Sequence, residues 1–295
     1  MSCDVVGIGQ CAIDYLGGVQ EHPEVDDKTE LSHFTVQGGG PTATAMVTLA
    51  RLNVPVSFIG KVGDDDFGRM IIDGLNCEGV DTSAMVIEEN STSQFAFISV
   101  EKGSGHRNIF FTRGSFSPLR FDEVNTKDID ECRILHLDGL MIDASIEAAA
   151  YARSIGKKVS LDAGTLRDGM LDLVRHTDYL VTSEKFARSF VSSEDYESAL
   201  YELKKLGPEI VCITLGSKGS IALVDGIVHR QEAYKVDVVD TTGAGDVFHG
   251  GFIYGMLKGY NITKTLQFAS VLSAMKCTKL GGRSGIPRAG DISSL

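Results

Sequence analysis

The chain has no Cys-x-x-Cys pair, no cluster of lysine and arginine, and no apolar run approaching the roughly 18 residues that a membrane span needs. None of Cys3, Cys11, Cys77, Cys132, Cys212 and Cys277 has a histidine nearby at zinc spacing, so they read as free thiols of a reducing compartment. A formal net charge of −12 without a basic stripe argues against a nucleic-acid partner. It does not exclude phosphate, because helix N-termini and glycine-rich turns bind anions locally. The lack of a long apolar run argues against a membrane partner. The opening string MSCDVVGIGQ has neither a basic n-region nor a long apolar core, so no signal peptide is expected and the cytoplasm is the expected location. The sequons at Asn90 and Asn261 then read as chance matches. No His-Glu-x-x-His string or paired ligand spacing supports a zinc hydrolase, and His136 and His249, beside apolar runs, read as structural. There is no internal repeat and no low-complexity linker.

What is present suits a soluble α/β protein. The 295 residues exceed the usual single-domain mode without filling two domains, and 43% hydrophobic content provides for a sizeable core. The expectation is one domain over residues 1–295 with a small elaboration. Short apolar, β-rich runs at residues 5–9, 56–60, 134–138, 159–162, 179–182 and 210–215 alternate with helical patterns. Those helical patterns cover residues 41–52, 67–76, 145–154, 185–190 and 196–206. The order predicts a doubly wound, mainly parallel sheet with helices on both faces. Residues 15–36 and 92–112 break the rhythm with polar, alternating stretches, the second turning at 102–105 as a hairpin. A small antiparallel sheet from parts of 10–36 and 92–113 is expected to stand off the main body as a lid.

In parallel α/β sheets ligands lie beyond the carboxyl ends of the strands, so strand-to-helix turns carry the chemistry. The strongest string is Asp240-Thr241-Thr242-Gly243-Ala244-Gly245-Asp246, running into VFHGGFIYGML. Small residues before an amphipathic helix let the N–H groups of Gly243, Ala244 and Gly245 converge on an anion, and the helix dipole adds to the pull. Around a transferring phosphoryl group such a turn stabilises the charge that develops on the equatorial oxygens. Asp246, in the first turn, is kept ionised by the same dipole and can accept the proton of an attacking hydroxyl. An ordinary capping role for Asp246 is the bland alternative.

VVDTTGAGDVFHGGF resembles the C-terminal signature of the ribokinase-like (PfkB) carbohydrate kinases, and GGGPTATAMVTLARLN followed by FIGKVGDDDFG resembles the N-terminal one. The matches run from Asp14 to Gly285, almost the whole chain. The resemblance implies an ATP- and Mg²⁺-dependent kinase acting on a hydroxyl of a small sugar or sugar derivative. Gly243, Ala244 and Gly245 would form the anion hole and Asp246 would be the base. It places Asp14, Gly39, Gly40 and Thr44 at the substrate, where a carboxylate suits a polyol and glycines admit close backbone approach. TLGSKGS resembles the nucleotide loop, which puts Thr214, Gly216 and Gly219 near ATP. Asp240 and Thr242, with carbonyls from KLGGRSG, match positions that hold a monovalent cation such as K⁺ in several relatives.

Departures accompany the matches. Thr44 stands where the first signature carries a substrate-binding Asn, and the Asn-x-x-Glu that organises magnesium reads here Ser183-Glu184-Lys185-Phe186, with Glu184 the available substitute. The nearest branch is the one containing sulfofructose kinase, but the apolar NIFF and HLDGLMI stretches give no ground for a sulfosugar. Arg107, Arg113 and Arg167 are candidates for an anionic substrate group, though each also fits a solvated surface position. The alternatives are a nucleoside kinase of the same family or a catalytically inactive sugar-binding relative. GIGQCA fits a dinucleotide fingerprint, yet no helix follows it to receive a pyrophosphate. Exposed apolar lid residues such as Phe95 and Phe97 would allow a homodimer.

Overall fold

The computed structural model describes residues 3–103 and 106–292. The chain opens with β1 (Val5–Ile8), β2 (Ala12–Val19), β3 (His33–Gly39), α1 (Pro41–Arg51), β4 (Val56–Ile59), β5 (Lys61–Gly63) and α2 (Asp66–Cys77). The middle carries β6 (Val86–Glu88), β7 (Phe95–Glu101), β8 (Arg107–Thr112), α3 (Thr126–Glu131), β9 (Ile134–Leu137), α4 (Ile142–Ser154), β10 (Lys158–Ala163), α5 (Met170–Arg175) and β11 (Tyr179–Ser183). Then follow α6 (Glu184–Val191), α7 (Tyr196–Lys204), β12 (Ile210–Thr214), β13 (Ser220–Val224), β14 (Ile227–Gln231), α8 (Ala244–Leu257) and α9 (Ile262–Lys276).

Eight strands form the main sheet in the order β14-β13-β12-β11-β10-β9-β1-β4. From β12 to β4 every neighbour pair is parallel, and β13 and β14 add an antiparallel edge. Parallel strands buried on both faces read as continuous apolar runs, which is why Val5–Ile8, Val56–Ile59 and Ile134–Leu137 are buried at every position. One face packs a core with Met46, Leu49, Phe252 and Leu272 under α1, α8 and α9. The other packs Leu135, Leu161, Leu173, Phe186 and Leu203 under α3, α4, α5, α6 and α7. Helix α8 departs from the sequence reading. Instead of being amphipathic, it is buried along Val247–Ile253, because α1 and α9 both pack against it.

The lid is a second sheet, ordered β3-β2-β7-β8. It was expected to be antiparallel. Its outer pairs are, but the central β2–β7 pair is parallel, since the two excursions arrive from distant parts of the chain with the same polarity. The 102–105 turn includes residues 104 and 105, which lie outside the described residues. Phe95 is not a free surface group. It stacks 5.1 Å from Phe67 of α2 and 6.4 Å from Tyr15, and Phe97 is half-buried. The exposed apolar lid residues are instead Phe34, Val36, Ile109, Phe110 and Phe111. The base of the lid is tied down by Asp65, which caps α2 through Gly68 N–H (2.8 Å) and accepts from Ser93 Oγ (2.6 Å). All six cysteines are free, four of them buried. No helix among the described residues is long and apolar enough to cross a membrane.

Candidate active site

Strands β9, β10, β11 and β12 run parallel and end at one edge of the sheet, where the N-terminus of α8 meets them. A cavity of about 300 Å³ lies there. Its wall brings together Gly245 and Asp246 of α8, Asp138 and Asp162 beyond β9 and within β10, Ser183, Thr214, Arg167 and His249. Asp240-to-Asp246 therefore faces the sheet edge where α/β ligands bind.

Gly243 caps α8 in the left-handed region (φ 75°), and a Cβ there would lie 2.8 Å from Gly282 O, so the turn admits only glycine without strain. Ala244 N–H is not available to a ligand, because it donates back to Thr241 O (3.2 Å). The free donors of the helix start are thus those of Gly243, Gly245 and Asp246 among the described residues. A Cβ on Gly245 would meet nothing within 4 Å, so the turn is open on that side.

The helix dipole was expected to keep Asp246 ionised, but burial instead pushes its carboxyl up to about 7, and the negative charge of Asp162 adds to the shift. Asp162 itself is held below the ordinary range. Burial works against its ionisation, but the charge and hydrogen bond of His249, whose Nε2 lies 3.2 Å from Oδ1, outweigh it. Asp138 has no such freedom, since it accepts from Gln10 N–H and Thr42 Oγ1–H (each 2.9 Å) and Leu140 N–H (2.9 Å). It fastens the β1 turn and the start of α1 to β9. His136 packs against His249 with ring centroids 5.6 Å apart, and burial lowers it to about 3, so it is neutral.

A second group sits at the base of the lid. Asp14 of β2 lies against Gly39 of β3, where a Cβ would come 2.2 Å from Asp14 Oδ2. Burial raises Asp14 to about 6 against the pull of the Arg283 guanidinium. Gly40 caps α1 at φ 96°, and its missing Cβ would strike Gln10 O at 2.2 Å. Thr44 is buried, its hydroxyl accepting from Arg283 Nε (3.4 Å), while Arg283 Nη2 donates to Gly39 O (3.1 Å). The side chain in the Asn position thus turns to an arginine from the C-terminal loop. Asp14 and Asp246 are close enough for their charges to be felt by each other.

The nucleotide-loop residues divide. Thr214 lines the cavity, Gly216 is open, and Gly219 is a packing glycine whose Cβ would meet Gln231 O at 1.9 Å. Ser183 also lines the cavity while capping α6 through Phe186 N–H (3.0 Å) and donating to Gly164 O (2.8 Å). Phe186, at the family glutamate position, is fully buried in the core. Glu184 points elsewhere, accepting from Tyr196 Oη (2.7 Å) with Lys218 Nζ at 4.0 Å. Asp162 lines the cavity with Oδ1 facing His249 and stays ionised, a hard oxygen ligand that fits a magnesium ion carried on phosphates. Of the three arginines, Arg167 lines the cavity, Arg107 of the lid bonds Thr241 Oγ1 (3.0 Å), and Arg113 lies 5.9 Å from the Phe111 ring. Asp138, Asp162, His249 and Arg283 were missed by sequence reasoning. Asp138 and Asp162 carried a signal, as acids closing apolar strands at the ligand edge.

Comparison with known proteins gives the family and the fold. The model of the pfkB family of carbohydrate kinases matches residues 3–289. An uncharacterised sugar kinase of Archaeoglobus fulgidus is 31% identical over 252 residues, 82% of this chain and 99% of its own length. A candidate ribokinase of Agrobacterium tumefaciens superposes with a TM-score of 0.91 at 26% identity, covering 99% of this chain and 96% of that one. A candidate ribokinase II of E. coli, in complex with ATP and Mg²⁺, superposes at 0.88 with 24% identity, covering 99% and 98%.

Proposed function

Since the chain belongs to the pfkB family of carbohydrate kinases, we propose that it transfers the γ-phosphoryl group of ATP to a hydroxyl of a small sugar or sugar derivative. The observation that carries the reading is Asp246, a carboxyl pushed to about 7 on a cavity wall, in the first turn of a helix with free N–H groups. A base whose pKa lies near the working pH is ionised enough to act and basic enough to take a proton.

The substrate lies between Asp14, Gly39 and Asp246 under the lid. Asp14 accepts hydrogen bonds from sugar hydroxyls, and Gly39, having no side chain, leaves the Asp14 carboxylate the room to do so. Asp246 takes the proton of the attacking hydroxyl as the new O–P bond forms and the bond to the ADP oxygen breaks. The Gly243 and Gly245 amides stabilise the equatorial oxygens as charge builds on them. Thr214 and Gly216 flank the nucleotide, and the Ser183 hydroxyl, already committed to the α6 cap, shapes the wall beside them. Asp162 is the residue that would hold a magnesium ion, which when bound would supply positive charge against the phosphates. Arg107 brings the lid edge onto Thr241, which closes the reacting groups off from water. The free thiols fit a cytoplasmic setting, and the exposed Ile109, Phe110 and Phe111 of the lid edge fit contact with a second copy.

The test is ADP release from Mg·ATP across ketoses, aldoses, sugar acids, sulfosugars and nucleosides, with Asp246→Asn as control. A substrate turned over by the wild type and not by the variant supports the reading. ATP binding with no acceptor in any class would favour a sugar-binding relative without turnover.

A further inference from the structure

The family resemblance leads to a monovalent cation beside Asp240 and Thr242, and the residues here do not fit one. Asp240 is fully buried, and its carboxylate is already satisfied by the chain. Oδ1 accepts from both N–H and Oγ1–H of Thr242 (each 2.8 Å), and Oδ2 accepts from Gly281 N–H (2.7 Å). The charge in the neighbourhood is supplied from elsewhere. Lys276, the last residue of α9, is 0% exposed, and its Nζ donates to the main-chain oxygen of Asp240 (2.7 Å).

Three features make this a built position and not an accident of packing. First, α9 delivers the side chain to the start of α8, since Ser273, one turn earlier, already donates to Ala244 O (2.8 Å). Second, burial pulls the Lys276 ammonium below its ordinary pKa, and the charges of Asp240 and Asp246 offset only part of that cost, beside its hydrogen bond to the Asp240 carbonyl and its place at the C-terminal end of α9. No carboxylate among the described residues lies within ion-pair distance of it, and Nζ donates to the Asp240 carbonyl. Third, the Gly243 turn rests directly on the loop that this network pins, with the missing Gly243 Cβ facing Gly282 O. A free cation in the same place would face the repulsion of a fixed like charge.

We infer that the Lys276 ammonium takes the place of the monovalent cation at the phosphoryl-binding turn, so that the enzyme works without potassium. The activity arm of the test rests on the kinase reading, and the binding arm does not. The wild type is assayed with Tris and tetramethylammonium as the only other cations beside Mg²⁺, then titrated with KCl against tetramethylammonium chloride at equal ionic strength. Turnover and melting temperature are both expected to stay flat. Lys276→Met should lose about 10²-fold in turnover, the scale of one preorganised charge-stabilising group, and regain part of it with K⁺ or NH₄⁺. Its melting temperature should then rise with K⁺, as linkage requires of a newly bound ion. Saturable K⁺ stimulation of the wild type, or a K⁺-dependent rise in its melting temperature, would overturn the inference. So would a Lys276→Met variant that is as active as the wild type in the potassium-free buffer. If that variant does not fold, the wild-type titration decides alone. If no acceptor is found, the melting titration still does.

Discussion

His249 Nε2 stands 3.2 Å from Asp162 Oδ1, and His249 lies three residues beyond Asp246 on the same helix. The contact keeps Asp162 ionised, and that negative charge in turn raises Asp246. Because Asp246 acts as carboxylate, kcat/KM should fall as pH drops through about 7. In Asp162→Asn the raising charge is gone, and the acid limb should move to lower pH whatever happens to its height. The pH profiles of the two proteins decide it. An unmoved limb would mean that Asp162 does not set the titration of Asp246.

Asp246→Asn should cut turnover by about 10² or more while leaving the dissociation constant for ATP nearly unchanged, since the loss falls on the proton transfer alone. Single-turnover kinetics together with equilibrium nucleotide binding separate the two effects. Wild-type turnover in the variant removes Asp246 as base.

The same substitution should stabilise the fold at alkaline pH. Asp246 has a folded pKa of about 7, above its ordinary 3.8, so ionising it in place costs stability. That cost is absent below pH 4 and fully present above pH 7. Relative to wild type, Asp246→Asn should therefore gain on the order of 1–3 kcal/mol at pH 8 and little at pH 4. Thermal melts at both pH values check this. An equal effect at both would refute the linkage.

Asp14→Ala should raise KM for the acceptor sharply while leaving ATP binding alone, because a buried polyol loses its acceptor. Gly39→Ala should act the same way by a different route. Its Cβ would enter the space of Asp14 Oδ2 and force that carboxylate aside. Steady-state KM values for both substrates test the pair. A Gly39→Ala enzyme with normal acceptor KM would show that the approach at Gly39 does not matter.

The sheet was legible because parallel strands buried on both faces must be written as apolar runs, and turns demanding glycine must be written as glycine. The Gly243-to-Asp246 turn could be read for the same reason. The lid's parallel seam could not, as β2 and β7 are joined by register and not by any local signal. Nor could Lys276, since a helical lysine looks solvated until the fold puts another helix over it. His249 was read as structural, and it is buried, but its partner is a carboxylate on the cavity wall. The Asn position held by Thr44 was read as a loss, whereas Arg283, 239 residues on, reaches the Thr44 hydroxyl. Such long-range partnerships leave no periodicity in the chain.

Asp14 and Gly39 belong to the lid sheet, while Asp246 belongs to a helix packed on the main sheet. A ligand gripped from both sides is therefore a cross-brace between two parts of the molecule. Occupancy should then tie the two sheets together beyond what the chain crossings at residues 9–12 and 39–41 do alone, and resistance to a protease becomes a gauge of saturation that needs no chemistry at all.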